Sequence, residues 1–141
     1  MKVLLIIFFK ILIIFFLNLK LNNIDVSKFK TNKVIDMSFM FNECSNLNNL
    51  DVSNFNTENV TNMKAMFQTC SKLNNIDVSK FKTNKVTDMS FMFDSCYKLN
   101  NLDVKNFNTD NVQSFKNMFH NCPNIDNIKT LNNFKYLKDI Y

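Results

Sequence analysis

The apolar positions of this chain change period every few residues, and they do so on a fixed schedule. In the stretch LNNLDVSNFNTENVTNMKAMFQTCSK, which starts at Leu47, Leu50 and Val52 alternate with Asp51 and Ser53. Alternation of this kind marks a short strand with one buried face. Further on, Met63, Met66, Phe67 and Cys70 fall at i, i+3, i+4 and i+7, the stripe of a short amphipathic helix. Thr61 stands where an N-cap is expected. Phe55 and Val60 are the apolar residues of the connection between the two elements. The pattern predicts strand, loop, short helix and turn.

The same phrase returns every 26 residues, with units starting at Leu21, Leu47, Leu73 and Leu99 and a fifth start at Ile125. One unit cannot bury its own apolar face, whereas stacked units bury a continuous core. The expected fold is an α/β repeat, a right-handed solenoid of short parallel β-strands, near 24–26, 50–52, 76–78 and 102–104, and short helices. Residues 21–124 hold four repeats. Residues 125–141 read as a partial fifth repeat and C-terminal cap, with Pro123 at the turn and Leu131, Phe134 and Leu137 over the last rung.

The run Phe41-x-x-Cys44-x-x-Leu47-x-x-Leu50-x-Val52, repeated from Phe67, Phe93 and Phe119, resembles the leucine-rich repeats of the BspA-like family. The longer phrase, with LDVSNFNT, NVTNM and MF-x-x-C, resembles the bacterial surface-protein 26-residue repeat of that group. The resemblance implies a leucine-rich-repeat solenoid displayed at a cell surface, acting in adhesion or protein–protein recognition, with no catalytic residues. The fourth unit departs from the phrase, with Phe115 where the others have Met37, Met63 and Met89.

Composition sharpens this picture in two places. The 141 residues include no Gly, where average usage would supply about ten. Gly-rich phosphate loops are therefore excluded, and Asn is the expected maker of left-handed turns, at the pairs 22–23, 48–49, 74–75 and 100–101. The net charge of +5 is the second. Residues 1–20 carry three Lys and no acid, residues 21–124 carry eleven Lys against ten acids, and 125–141 carry three Lys and two Asp. The excess sits at the ends and forms no basic stripe, so no nucleic-acid partner is expected.

Within the repeats the charges alternate. Lys28 and Lys80 share a column with Asn54 and Asn106, and Lys33 and Lys85 with Asn59 and Asn111. Like charges thus stand two rungs apart, which removes their repulsion.

Residues 1–20, MKVLLIIFFKILIIFFLNLK, are apolar from Val3 to Leu17 except for Lys10. Fifteen residues make a helix of about 22 Å, closer to the core of a secretory signal than to a full membrane span. No small-residue cleavage pattern follows. The segment reads as a signal peptide or membrane anchor, and the chain as extracellular or held at the cell surface.

Three columns are candidates for chemistry. Cys44, Cys70, Cys96 and Cys122 stand 26 apart, unlike the close pairs of zinc sites, and read as a structural ladder of buried thiols rather than a metal site. The Met40 and Phe41 columns have core spacing. Asp25, Asp51, Asp77 and Asp103 form an unbroken acidic column on the strand face and read first as carboxylates that hold loop N–H groups or neighbouring Asn and Ser. Their alternative role is to meet a cation or the basic surface of a protein partner. Replacing Asp51 and Asp77 by Asn is expected to relieve repulsion and keep the fold. The single histidine, His120, has no Ser or Cys column beside it. No nucleophile–base pair or cofactor motif stands out, so the expected function is non-enzymatic: a surface-displayed recognition or adhesion module, or else a spacer or intracellular scaffold without a specific ligand.

Overall fold

The computed structural model describes residues 22–100 and 102–123. The signal peptide or membrane anchor expected at 1–20 and the cap expected at 125–141 lie outside the described residues. Among the described residues no helix is long and apolar enough to cross a membrane.

Each repeat is built from hydrogen-bonded turns that follow one another around a rung. In rung 1 (22–46) the N–H groups of Phe29, Val34, Met40, Asn42 and Cys44, and that of Leu47 where rung 2 begins, donate to the carbonyls three residues earlier, at 2.9–3.3 Å. Rungs 2 (47–72), 3 (73–98) and 4 (99–123) repeat these turns. Between Met37 and Cys44 three of them overlap, and the alternate N–H groups leave the rung altogether. Met37, Phe39, Phe41 and Glu43 donate to the carbonyls of Asn62, Lys64, Met66 and Gln68 in rung 2, at 2.8–2.9 Å. The pattern recurs from Met63 and from Met89.

This corrects the expected α/β leucine-rich-repeat solenoid: the described residues contain no α-helix and no extended strand, only isolated bridges. The helical stripe fails for a local reason. Phe39 and Glu43 adopt φ of 59° and 62°, and the same two places in every rung are left-handed, at Ala65, Thr69, Phe91, Ser95, Asn117 and Asn121. A left-handed residue every fourth position ends any helix. It suits the third position of a turn whose second peptide is flipped. Overlapping turns still return one face inward every three to four residues, so Met63, Met66, Phe67 and Cys70 are all buried as the stripe requires. Thr61 is not an N-cap; its N–H and hydroxyl both donate to the carbonyl of Ile35.

The strands fail because side chains take the groups a ladder needs. Leu50 and Val52 do point inward and Asp51 and Ser53 outward. Yet the Ser53 N–H goes to Asp51 Oδ1 at 2.9 Å, and the Val26 and Ser27 carbonyls accept from the Asn54 amide at 3.0 and 2.8 Å. What remains are single parallel bridges, Asn23↔Asn49↔Asn75 and Asp36↔Asn62↔Asp88↔Ser114. The Asn pairs at 22–23, 48–49 and 74–75 therefore sit at bridges, not in left-handed turns; among the described residues with positive φ only Asn117 and Asn121 are Asn.

Inside, identical side chains stack. The Phe41, Phe67, Phe93 and Phe119 rings lie 5.6, 5.4 and 5.7 Å apart, at interplanar angles of 0°, 13° and 7°. Such offset ring pairs add to the area they bury. The Met40, Met66, Met92 and Met118 column is buried beside them. A further column, absent from the sequence reading, is Thr31, Thr57, Thr83 and Thr109, all buried. Thr57 Oγ1 accepts the Lys82 N–H at 2.7 Å and donates to the Lys82 carbonyl at 3.1 Å, clipping rung 2 to rung 3.

The Lys/Asn alternation acquires a hydrogen-bonding role. Asn54 and Asn59 donate to the Ser27 and Asn32 carbonyls, and Asn106 and Asn111 to those of Ser79 and Asn84. Rungs 1 and 2 are joined this way, as are rungs 3 and 4. At the seam between rungs 2 and 3 the same columns carry Lys80 and Lys85, and Lys85 Nζ reaches only Asn59 Oδ1, at 2.9 Å.

Candidate functional site

The acidic column lies along one flank of the stack. Each aspartate accepts the N–H two residues on through Oδ1: Ser27 to Asp25, Ser53 to Asp51 and Ser79 to Asp77 at 2.9 Å, and Lys105 to Asp103 at 3.0 Å. This Asx turn is the local reason for aspartate here, since its side chain mimics the backbone turn. Hydrogen bonds from the serine two residues on, hydroxyl first and then N–H, hold the Asp25, Asp51 and Asp77 carboxyls below the usual carboxylate range. The downward shift means that these bonds outweigh the mutual repulsion of the column. Asp103 also pairs with Lys105 Nζ at 3.0 Å.

Asp51, Asp77 and Asp103 line a shallow groove with Asn23, Asn49 and Asn75. It runs across the rungs, and Leu50, Val52, Ile76 and Val78 complete its lining between these polar residues. The aspartates are thus fixed in direction, charged at neutral pH and presented in register along the stack.

The cysteine column runs beside the aromatic one. All four thiols are free and buried. Three donate backward to the aromatic column: Cys70 to the Phe41 carbonyl at 3.1 Å, Cys96 to Phe67 at 3.2 Å and Cys122 to Phe93 at 3.0 Å. Burial pushes the Cys44 and Cys122 thiols up to about 11. Cys70 and Cys96 are raised further, by burial first and by their neighbouring thiols next. A thiol this far from ionising is neither a nucleophile nor a ready metal ligand. Among the described residues no group of three or more His, Cys, Asp or Glu is placed to hold a metal ion.

His120 does gain a partner that the sequence reading missed. Its Nδ1 lies 3.0 Å from Oδ1 of Asp94, one rung back, in a carboxylate that is 8% exposed and also accepts from Gln68 Nε2 at 2.8 Å and Ser95 Oγ at 3.0 Å. The signal was the 26-residue offset between positions 94 and 120. The Ser95 hydroxyl is turned to Asp94, not to the imidazole, so no nucleophile–base pair results.

No curated protein and no solved structure matches the chain. A family described as "Mycoplasma protein of unknown function, DUF285" matches residues 11–134, and the chain belongs to that family.

Proposed function

We propose that the stack is a non-enzymatic recognition module whose aspartate-lined groove takes an extended, basic segment of a protein partner. The observation that carries this reading is the column Asp25, Asp51, Asp77 and Asp103, one carboxylate per rung, each held by its own Asx turn. Pre-oriented charges at a regular spacing lose little entropy on binding and confer register on a partner with similarly spaced cations. The resemblance of the repeat phrase to bacterial surface repeats supports a module that works outside the cell, and the apolar run within residues 1–20 supports a membrane attachment or export role for that segment.

The test uses the full chain and a fluorescent peptide of alternating Lys and Ser. Binding by anisotropy is expected at low salt, weakening as salt rises because the groove is open to water. Asp51→Asn with Asp77→Asn keeps an oxygen for the Asx turn and removes the charge. The double variant should fold and bind at least several-fold more weakly. Equal binding by the two chains, or none by either, refutes the groove as the site.

A further inference from the structure

Between rungs 2 and 3 lies a second groove, beside the aspartate-lined one and opposite to it in charge. One wall is residues 53–58 of rung 2, which include Glu58, and the other carries Lys80, Lys82 and Lys85 of rung 3. All three lysines are exposed, and so are Lys28, Lys30 and Lys33, their counterparts two rungs away. A smaller depression, with Asp25, Asp51, Ser53 and Asn54 in its lining, adjoins both grooves. It shares Asp51 with the acidic groove, and Ser53 and Asn54 with the basic one. Acidic and basic columns therefore run side by side on one flank. Lys80 acts across their boundary. The Asp51 and Asp77 carboxyls, held low first by the hydrogen bonds from their serines, both feel its charge. One lysine thus serves the aspartates of two neighbouring rungs.

Residues 21–124 carry eleven Lys and ten acids, so this flank is marked by the separation of its charges and not by an excess. Repeats so close to neutral do not repel their own copies. An excess of one sign would call for a foreign partner of the other sign. Equal and separated charges make the flank its own complement. A twofold axis along the stack turns the aspartate column of one copy onto the lysines of the other, and the reverse contact forms at the same time. A twofold axis across the stack sets acid against acid. The charges therefore also choose the orientation, with the two stacks parallel.

We propose that the chain pairs with a second copy through this flank, Asp25, Asp51, Asp77 and Asp103 of each copy meeting Lys28, Lys80 and Lys82 of the other. This names the partner of the acidic column and rests on the reading that the column recognises regularly placed cations. Exposed ion pairs contribute little each. The pairing is accordingly weak, reversible and strongest at low salt.

Sedimentation of the full chain over a range of concentrations tests this. At low salt the mass should rise towards that of a dimer, and high salt should weaken the pairing about tenfold or more. A contact through apolar surface does not weaken in salt, so the response separates the flank from the apolar run in residues 1–20. Lys80→Glu with Lys82→Glu should abolish pairing, and so should Asp51→Asn with Asp77→Asn. An equal mixture of these two variants should pair more tightly than either alone, because the aspartates of the first still meet the lysines of the second. The lysine variant keeps the acidic groove and should bind the Lys and Ser peptide as the unaltered chain does. A chain that binds the peptide but stays monomeric at low salt overturns the pairing and leaves the groove reading standing. Pairing of the lysine variant as tight as that of the unaltered chain overturns it too. If the chain pairs as described but ignores the peptide, the extended-segment reading falls and the pairing stands.

Discussion

The thiol of Cys70 donates to the carbonyl oxygen of Phe41, 3.1 Å away and one rung back. That contact ties the cysteine column to the aromatic column, and it repeats at Cys96 and Cys122. Burial keeps these thiols protonated in the folded chain, while unfolding returns them to their ordinary value of 9.0. A folded-state pKa raised above the unfolded one contributes stability below the unfolded value and loses it as pH rises through the folded one. Stability is therefore expected to fall from pH 9 upward, through the range near 11 where Cys44 and Cys122 ionise. Denaturant titrations between pH 7 and 11 check this. Cys70→Ala should cost about 1–2 kcal/mol, from the cavity and the lost donor together, and should flatten the alkaline slope. Thiol reagents should find no reactive cysteine in the native chain and all four at once on unfolding.

Thr69 is a β-branched residue held at φ 60°. Glycine has no Cβ to oppose this conformation, so Thr69→Gly is expected to stabilise the chain by about 1 kcal/mol. A helix at the same place would lose about as much from glycine, so the sign of the change measured in urea separates the two geometries.

Thr57→Val keeps the shape of a buried side chain and removes the hydroxyl that serves both the N–H and the carbonyl of Lys82. Both backbone groups lose a partner, and the expected cost is about 1–3 kcal/mol. Amide exchange at Lys82 should quicken in the variant. If it stays protected, the clip is not what holds rung 3 against rung 2.

At the seam between rungs 2 and 3, Lys80 stands where Asn54 and Asn106 clip the other two junctions. Lys80→Asn is expected to restore that bond, to the Ser53 carbonyl, and to stabilise by about 0.5–1.5 kcal/mol. The matched control is Asn54→Lys, which should destabilise by removing an existing clip. Opposite signs for the two substitutions in chemical denaturation are the result to look for.

The sequence alone determined the stacking. A 26-residue period that repeats an apolar set leaves one economical way to bury Met66, Phe67, Cys70 and Leu73: each over its own copy. It also determined the in–out pattern around Leu50 and Val52, the burial of the cysteines and the columnar order of the aspartates, since all of these follow from period alone. Backbone conformation was decided only by the tertiary structure. The spacing i, i+3, i+4, i+7 is shared by a helix and by a run of overlapping turns, and no side chain tells them apart. What separates them is where the N–H of Phe41 goes: to the Met66 carbonyl of the next rung rather than back along its own chain. That bond exists only once two rungs are stacked, and it holds Phe39 and Glu43 in a left-handed geometry that neither residue would choose by itself. The pairing of His120 with Asp94 and the clips from Asn54 and Thr57 have the same origin. They join residues 25 to 28 apart, and side-chain chemistry at that range is set by the register of the stack.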